Sequence, residues 1–344
     1  MFSIAICGGS GYTGVELLRL LLAHPDVEIR AITSEKSAGK KIGELFPHLK
    51  DISNLVFEPL EKEKIRDKAE VFFLALPHGT SQEVADYLVK NSKKVIDLSA
   101  DYRLKDHRVY EEWYKTPHRF IESLSKAVYG LPELYREKIK KASLVANPGC
   151  YPTGAILAIY PALKEGLIDE NSIVIDSKSG VSGAGRKAEL TYSFCEINES
   201  FRAYGITTHR HTPEIEQILS EISGNSIKIN FTPHLIPLNR GILTTAYARL
   251  KRDISEDEVV NLYRDAYRNE PFVRISDIPP DTKFVKGTNF CDIKPVINKR
   301  TKTLIVLSAI DNLVKGAAGQ AVQNMNIMLG IEETKALQGV PLFP

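Results

Sequence analysis

One cysteine in this chain stands where a nucleophile would be placed. In Ala146-Asn147-Pro148-Gly149-Cys150-Tyr151-Pro152-Thr153, the breakers Asn147, Pro148 and Gly149 end an apolar run, Leu144–Ala146. Beyond Pro152, Ile156, Leu157, Ile159, Tyr160, Leu163 and Leu167 recur at helical spacing. Pro152 and Thr153 suit a first turn, where a missing N–H leaves no bond unmade. Cys150 then sits among unpaired backbone N–H groups at the positive end of a helix dipole, a setting that favours thiolate over thiol. A thiolate there attacks an electrophilic carbon. The competing reading, a small buried hydrophobe at a strand-to-helix junction, is the ordinary fate of a free cysteine. This segment alone does not separate the two.

Thiolate chemistry needs an acid–base partner, and histidine is the side chain poised for it near neutral pH. Thr207-Thr208-His209-Arg210-His211-Thr212-Pro213-Glu214 sets two imidazoles beside a guanidinium, ahead of a predicted helix over Pro213–Leu219. His209 and His211 share a side if the segment is extended. Glu214 either orients a ring or serves as a first-turn acid favoured by the dipole. Zinc held by His209, His211 and His234 lacks the usual ligand spacing. Two further segments suit anions. Asp97-Leu98-Ser99-Ala100-Asp101-Tyr102-Arg103 follows a predicted parallel strand, and Arg103 there suits a phosphate or carboxylate. Ser179-Gly180-Val181-Ser182-Gly183-Ala184-Gly185-Arg186 is an N–H-rich loop that ends in a cation. The structural alternatives are an Arg103 paired with Asp101 or Asp106, and a plain hairpin at the glycines.

Gly9-Ser10-Gly11-Tyr12-Thr13-Gly14 fits G-x-G-x-x-G, with Gly8 in addition, directly between an apolar strand and a helix. Glycines there permit a tight turn and close approach to a pyrophosphate, which the helix N-terminus binds. An NAD enzyme usually shows an acid at the end of the second strand. Here that strand ends Ile32-Thr33-Ser34 and is followed by Glu35, Lys36, Lys40 and Lys41. Hydroxyls and lysines suit a 2′-phosphate, which favours NADP. Glu35 is the complication, because one residue of register would make it the NAD-type acid.

These residues need elements to hold them. Strand and helix alternate through the first half: Phe2–Ile6, helix Val15–Ala23, Val27–Thr33, Val71–Leu76, helix Gln82–Lys90, Lys94–Leu98 and Leu144–Ala146. Such a succession predicts a doubly wound parallel sheet. After the cysteine helix, Ser172–Ser179, Lys228–Pro233, Gly241–Leu250, Phe272–Ser276 and Thr303–Ile310 read as strands of a mixed or antiparallel sheet, and a helix is expected over Val314–Leu329. The 344 residues suggest two domains that meet near Cys150. Forty-three per cent hydrophobic and 26% charged residues describe an ordinary globular protein, and a net charge of +2 shows no bias towards nucleic acid or membrane. The start lacks a basic n-region and a long apolar run, so no signal peptide is expected. Cys7, Cys150, Cys195 and Cys291 form no C-x-x-C pair, which points to a reducing cytoplasm rather than to zinc or disulfides.

Seven motifs, in order across nearly the whole chain, are those of one family. They are Gly8-Gly9-Ser10-Gly11-Tyr12-Thr13-Gly14, Asp97-Leu98-Ser99-Ala100-Asp101-Tyr102-Arg103, Asn147-Pro148-Gly149-Cys150-Tyr151-Pro152-Thr153, Ser182-Gly183-Ala184-Gly185-Arg186, His209-Arg210-His211-Thr212-Pro213-Glu214, Phe231-Thr232-Pro233-His234-Leu235-Ile236-Pro237 and Asn312-Leu313-Val314-Lys315-Gly316-Ala317-Ala318-Gly319-Gln320. The chain resembles the N-acetyl-γ-glutamyl-phosphate reductases, NADPH-dependent enzymes of arginine biosynthesis. The resemblance implies an α/β architecture shared with aspartate-semialdehyde and glyceraldehyde-3-phosphate dehydrogenases. That means a Rossmann dinucleotide-binding domain over 1–148, an inserted α+β catalytic and oligomerisation domain over 149–312, and a C-terminal helix, within 313–344, that returns to the first domain.

The same resemblance implies a homodimer or homotetramer and a division of labour. Cys150 is the nucleophile, His211 the acid–base and His209 its neighbour at the substrate or thiolate. Gly8, Ser10, Gly11, Tyr12, Thr13, Gly14, Ser34 and Lys36 hold NADP, with Asn312 at its nicotinamide end. Ser99, Arg103, Ser182 and Arg186 bind the small acyl-phosphate substrate, and no metal takes part. Two alternatives stay open. One is the homologous aminoadipate or carrier-linked reduction of lysine biosynthesis; the other is a NADP-sensing regulator, which would need neither Cys150 nor the histidines.

Overall fold

The computed structural model describes residues 1–186 and 188–343. Two compact units emerge: Met1–Pro148 with Ala317–Gln338, and Gly149–Gly316 with the tail from Gly339. Among the described residues no helix is long and apolar enough to cross a membrane.

In the first unit β1 (Phe2–Cys7), β2 (Val27–Thr33), β3 (Val71–Leu74), β4 (Lys94–Asp97), β5 (Val128–Tyr129) and β6 (Leu144–Ala146) form one sheet in the order β2-β1-β3-β4-β6-β5. Every pairing is parallel. The central strand β3 is a continuous apolar run with all of Val71–Leu74 buried, as both-face coverage by helices requires, while the edge strand β2 exposes Glu28 and Arg30. Strand order reverses between β1 and β3, and doubly wound sheets bind ligands beyond the carboxyl ends at such a reversal. The turn after β1 is built on glycine for steric reasons. Gly8 has φ +87°, and a Cβ there would lie 2.3 Å from the Ala75 carbonyl oxygen. A Cβ on Gly14 would lie 2.5 Å from the Gly9 carbonyl, whereas one on Gly11 would meet nothing within 4 Å.

The last helix belongs to this unit. Its expected span of Val314–Leu329 resolves into a π-helical turn, Val314–Ala318, and a regular helix, Gly319–Leu329. The wide turn arises because the Gly316 N–H reaches back to the Asp311 carbonyl at 3.0 Å. The helix packs against Tyr12–Leu21 and Pro132–Lys141. Its Asn326 Oδ1 meets His24 Nε2 at 3.0 Å, and Asn324 Nδ2 donates to Gly130 O at 2.9 Å and Asn147 Oδ1 at 3.1 Å. The division between units thus falls at 316/317 rather than at 312/313, and the tail turns to the other unit, where the Leu342 N–H donates to Lys286 O at 2.9 Å.

The second unit is a seven-stranded mixed sheet of β7 (Val174–Gly180), β8 (Arg202–Ala203), β9 (Asn230–Ile236), β10 (Ile242–Arg249), β11 (Val273–Ile275), β12 (Cys291–Asn298) and β13 (Thr303–Ile310), ordered β11-β12-β13-β10-β7-β9-β8. Strands β8 and β12 were not expected. The polar Lys294 and the imino acid Pro295 obscure the β12 pattern; Pro295 is tolerated because β11 pairs only with Cys291–Ile293, leaving that edge open beyond them. Helices Cys150–Lys164 and Glu256–Ala266 cover one face of the sheet, and Thr212–Ser223 packs on the former. The other face carries Leu243, Thr245 and Tyr247 of β10 and Ile305 and Leu307 of β13, all partly exposed in alternation with buried neighbours.

The helix that starts at Cys150 is apolar nearly all round and buried along its length, as a core helix must be. Pro161 has no N–H to give the Leu157 carbonyl, and the Tyr267 hydroxyl donates there instead, at 2.5 Å. The neighbouring Ala158 carbonyl accepts from the Tyr263 hydroxyl at 2.7 Å.

The glycine turn separates two substitutions. Gly8→Ala combines a left-handed backbone with a carbonyl collision and should lose about 2–4 kcal/mol of stability. Gly11→Ala should leave it within about 0.5 kcal/mol. Urea unfolding of both variants checks this, and equal losses would mean that the turn is built otherwise.

Candidate active site

The second unit gathers the expected chemistry around Tyr151. Cys150 is the first residue of its helix and is only half-buried, while Cys7 and Cys291 are buried and Cys195 is exposed. Burial pushes the Cys7 thiol up to about 12, which removes it as a nucleophile. The Cys150 helix has Gly149 as its cap, no side-chain cap and no acid in its first turn, so its own residues leave the dipole unneutralised. Gly316 packs directly on Cys150, since a Cβ there would lie 2.8 Å from that of Cys150.

His209 and His211 stack edge-on, their centroids 4.9 Å apart, and the Tyr151 ring stands 5.4 Å from His209 and 5.8 Å from His211. Phe231 of β9 completes the packing at 5.4 Å from His209. The Tyr151 hydroxyl meets that of Tyr204 at 2.8 Å. Both phenols are pushed up, chiefly by burial, with the Cys150 charge adding to the effect. His209 accepts the His211 N–H on Nδ1 at 3.1 Å, which leaves Nε2 to carry the proton of the neutral ring. Burial, then the Arg210 charge, holds His209 down to about 4. His209 is therefore a neutral hydrogen-bond donor at physiological pH. His211 caps the helix Thr212–Ser223, and its carbonyl accepts from Ile215 N at 3.1 Å.

Glu214 turns towards the turn before Cys150: its buried Oε1 accepts the Gly149 N–H at 2.8 Å. His234 stands apart, its ring 3.2 Å from Asp176. Asn312, expected at the nicotinamide, is engaged within its own unit. Its Oδ1 accepts from Gly241 N at 2.7 Å and its Nδ2 donates to Ser182 Oγ at 2.9 Å, so the pair pins the glycine loop to β10. Arg186 is exposed beyond that loop.

In the first unit the glycine turn and the end of β2 meet. Ser34 Oγ donates to Ser10 Oγ at 2.9 Å, and Thr33 Oγ1 accepts from Gly8 N at 3.2 Å. Gly11 caps the helix Tyr12–Leu21, which bears Tyr12, Thr13 and Gly14 in its first turn and has no side-chain cap. The open space over Gly11 and those helix-end N–H groups fit a dinucleotide's pyrophosphate. Glu35 is not the NAD-type acid: its Oε1 accepts from Leu60 N at 2.9 Å, while Lys36, Lys40 and Lys41 are exposed around the turn.

Ser99 and Arg103, expected at the substrate, make hydrogen bonds inside this unit. Ser99 Oγ donates to Asp97 Oδ2 at 2.8 Å and accepts from Asp101 N at 3.1 Å. Arg103 donates to the carbonyls of Asn147 at 2.7 Å and Leu98 at 2.9 Å, tying together the segments after β4 and β6. Burial and the Asp101 charge push Asp97 up to about 7, and the Arg103 guanidinium opposes that shift. These bonds depend on the register of β4 against β6, which the motif itself does not encode. Tyr151, Tyr204, Phe231, Gly316 and the Gly149 contact of Glu214 were not singled out, because their contacts join distant segments, although all but Tyr204 lay within the motifs.

Two family models match, the semialdehyde dehydrogenase NAD binding domain over residues 3–142 and the semialdehyde dehydrogenase dimerisation domain over 150–312. The chain is 55% identical to N-acetyl-gamma-glutamyl-phosphate reductase of Geobacter metallireducens over the whole of both chains. It is 52% identical to the protein of that name from Pelotomaculum thermopropionicum, over 99% of each. Aspartate semialdehyde dehydrogenase II of Vibrio cholerae, complexed with ASA, superposes with a TM-score of 0.74 at 17% identity, covering 96% of this chain and 98% of that one. The aspartate semialdehyde dehydrogenase of Candida albicans with NADP gives 0.73 at 15%, covering 96% and 99%. At such identities the two structures speak to fold alone.

The depressed His209 has a consequence for stability. Unfolded, the ring protonates near ~6.5; folded, it does so only near about 4. Between those values the unfolded state binds more protons, so stability is present above ~6.5 and falls as pH drops towards 4. The urea midpoint of the wild type should decline more steeply from pH 7 to pH 4.5 than that of His209→Asn. Parallel declines would place the ring in water.

Proposed function

The chain belongs to the N-acetyl-γ-glutamyl-phosphate reductase family, and on that footing we propose that it reduces N-acetyl-L-glutamyl 5-phosphate to N-acetyl-L-glutamate 5-semialdehyde, releasing phosphate. The observation that carries this reading is Cys150 at the start of a buried helix, with the paired imidazoles packed on the adjoining Tyr151. A regulator that only sensed NADP would need neither.

Cys150 attacks the γ-carbonyl, the C–O bond to phosphate breaks, and an acyl thioester remains on sulfur. Sulfur suits both halves of the reaction, as a strong nucleophile at neutral pH and a ready leaving group. NADPH, held by the Gly8–Gly14 turn with Ser10, Ser34 and Lys36, supplies the hydride when bound. The oxyanion requires donors at the Cys150 turn, and the geometry narrows them. The Gly149 N–H goes to Glu214, Pro152 has none, and the Thr153 N–H goes to the Gly149 carbonyl at 3.1 Å. Backbone N–H groups at the start of this helix stabilise the oxyanion. Neutral His209 offers Nε2–H to the substrate, and His211 takes and returns the proton. Arg186, exposed on its glycine loop, pairs with a substrate anion. Free thiols and an NADPH-linked reaction fit the cytoplasm.

Self-association is proposed through the face of the second sheet that its helices leave uncovered. It lies inside the region matched by the dimerisation-domain model, and Leu243, Tyr247, Ile305 and Leu307 give it an apolar centre. A second copy of the chain is the occupant. Sedimentation of Ile305→Asp with Leu307→Asp should show monomers where the wild type shows dimers or tetramers; an unchanged oligomer would move the interface elsewhere.

The reaction is read in reverse, as phosphate-dependent reduction of NADP by N-acetylglutamate 5-semialdehyde. The wild type should prefer this substrate to the aminoadipate homologue and NADP to NAD. Cys150→Ser should lose about 10³-fold or more in kcat while still binding NADPH in a fluorescence titration. Substantial turnover by the serine variant would sink the mechanism, and preference for the longer homologue would move the protein to lysine chemistry.

A further inference from the structure

We infer that Glu214 is a positioning residue that locks the nucleophile's turn to the turn carrying the histidines, an inference that rests on the reading of Cys150 as nucleophile. Its carboxylate is buried, 1% exposed, and accepts the N–H of Gly149 at 2.8 Å. Gly149 precedes Cys150 and caps its helix. The Gly149 carbonyl in turn accepts from Thr153 N at 3.1 Å and Thr153 Oγ1 at 3.0 Å. The residue entering Cys150 is thus held at both its polar groups, and one anchor belongs to another helix.

That anchor sits three residues after His211, in the first turn of Thr212–Ser223. An exposed acid at such a place would do no more than complement the dipole. Burial changes its role: a carboxyl oxygen that accepts a backbone N–H in a low-dielectric site makes a stronger, direction-setting bond. The bond runs between the backbone of the nucleophile and the helix whose cap is the acid–base residue. Displacement of one turn relative to the other misaligns the reacting groups, and errors of about 1 Å cost about 100-fold in rate.

A control lies on the same helix. Glu216 is also buried and also accepts a backbone N–H, that of Ile229 at 3.2 Å, and it pairs with Lys228. Its bonds serve the fold and do not reach the Cys150 turn.

The test compares Glu214→Ala, Glu214→Asp, Glu214→Gln and Glu216→Ala in a Cys195→Ser background, which removes the exposed thiol. Four quantities are read: kcat, KM, the rate of Cys150 alkylation without substrate, and NADPH binding. Glu214→Ala and the shortened Glu214→Asp should lose about 10- to 100-fold in kcat with KM within about threefold, and alkylation should change in step. Glu214→Gln keeps an acceptor of the same reach and should restore most of the rate. Glu216→Ala should lower the unfolding midpoint while leaving kcat within about twofold. If Glu214→Ala fails to fold, Glu214→Asp carries the comparison. Wild-type kcat in the alanine or aspartate variant, a glutamine variant as poor as either, or an equal loss in Glu216→Ala would overturn the inference. A wild type without reductase activity would instead overturn the function on which it rests.

Discussion

The placement of a thiol on the first residue of a buried helix is the constraint to which the second unit answers. That position offers a reactive sulfur only while the helix behind it stays fixed and its positive end is left unneutralised by its own side chains. Fixity comes from burial on all sides, between the sheet and two other helices. Burial in turn demands that each backbone polar group find a partner, and the proline inside the helix leaves one carbonyl short. The two tyrosine hydroxyls at Leu157 and Ala158 meet that demand. At the other end Gly316 can be nothing larger, because the Cys150 Cβ occupies the space its side chain would fill.

Polar groups divide into those facing inward and those left to ligands. In the first unit the Asp97–Ser99–Asp101 turn and Arg103 are consumed in stabilising the segments after β4 and β6. A carboxyl pushed up to about 7 in that turn shows how strongly the neighbouring acids oppose each other once desolvated. The glycine turn behaves in the opposite way. Its glycines are dictated by collisions with Ala75 and with the turn itself, except at Gly11, where the space is open. Sequence motifs that look alike in richness of charge and glycine thus serve opposite ends.

What could be read from the sequence was what depends on neighbours in the chain. Phe2–Cys7 announced itself by a largely apolar run and Val27–Thr33 by apolar residues alternating with Glu28 and Arg30, and Cys150 as a helix start followed from breakers before it and periodicity after it. Thr303–Ile310 was legible to the residue, whereas its partner β12 was hidden by a proline that only an open edge permits. The histidine doublet was recognised, but not that one imidazole would be half-buried among rings and neutral, since the Tyr151, Tyr204 and Phe231 rings come from three other segments. Long side chains were the hardest to assign. Arg103, Glu35 and Asn312 each have a backbone partner that only the folded chain supplies.

The chain leaves the nucleotide-binding unit after Pro148 and re-enters it at Ala317. Within that unit the two cut ends adjoin, the Asn147 amide donating to the Ala317 carbonyl at 3.1 Å. Within the other unit the ends adjoin too, Gly316 lying against Cys150. The arrangement is that of a host and a guest, each of which closes on itself. A host whose ends already touch is indifferent to the length and content of what is spliced between them, and one nucleotide-binding scaffold can therefore carry different guests over evolutionary time. The guest, for its part, begins at Gly149 and has Gly316 packed on Cys150, so whatever it gains or loses in its loops leaves Cys150 beside its own two ends.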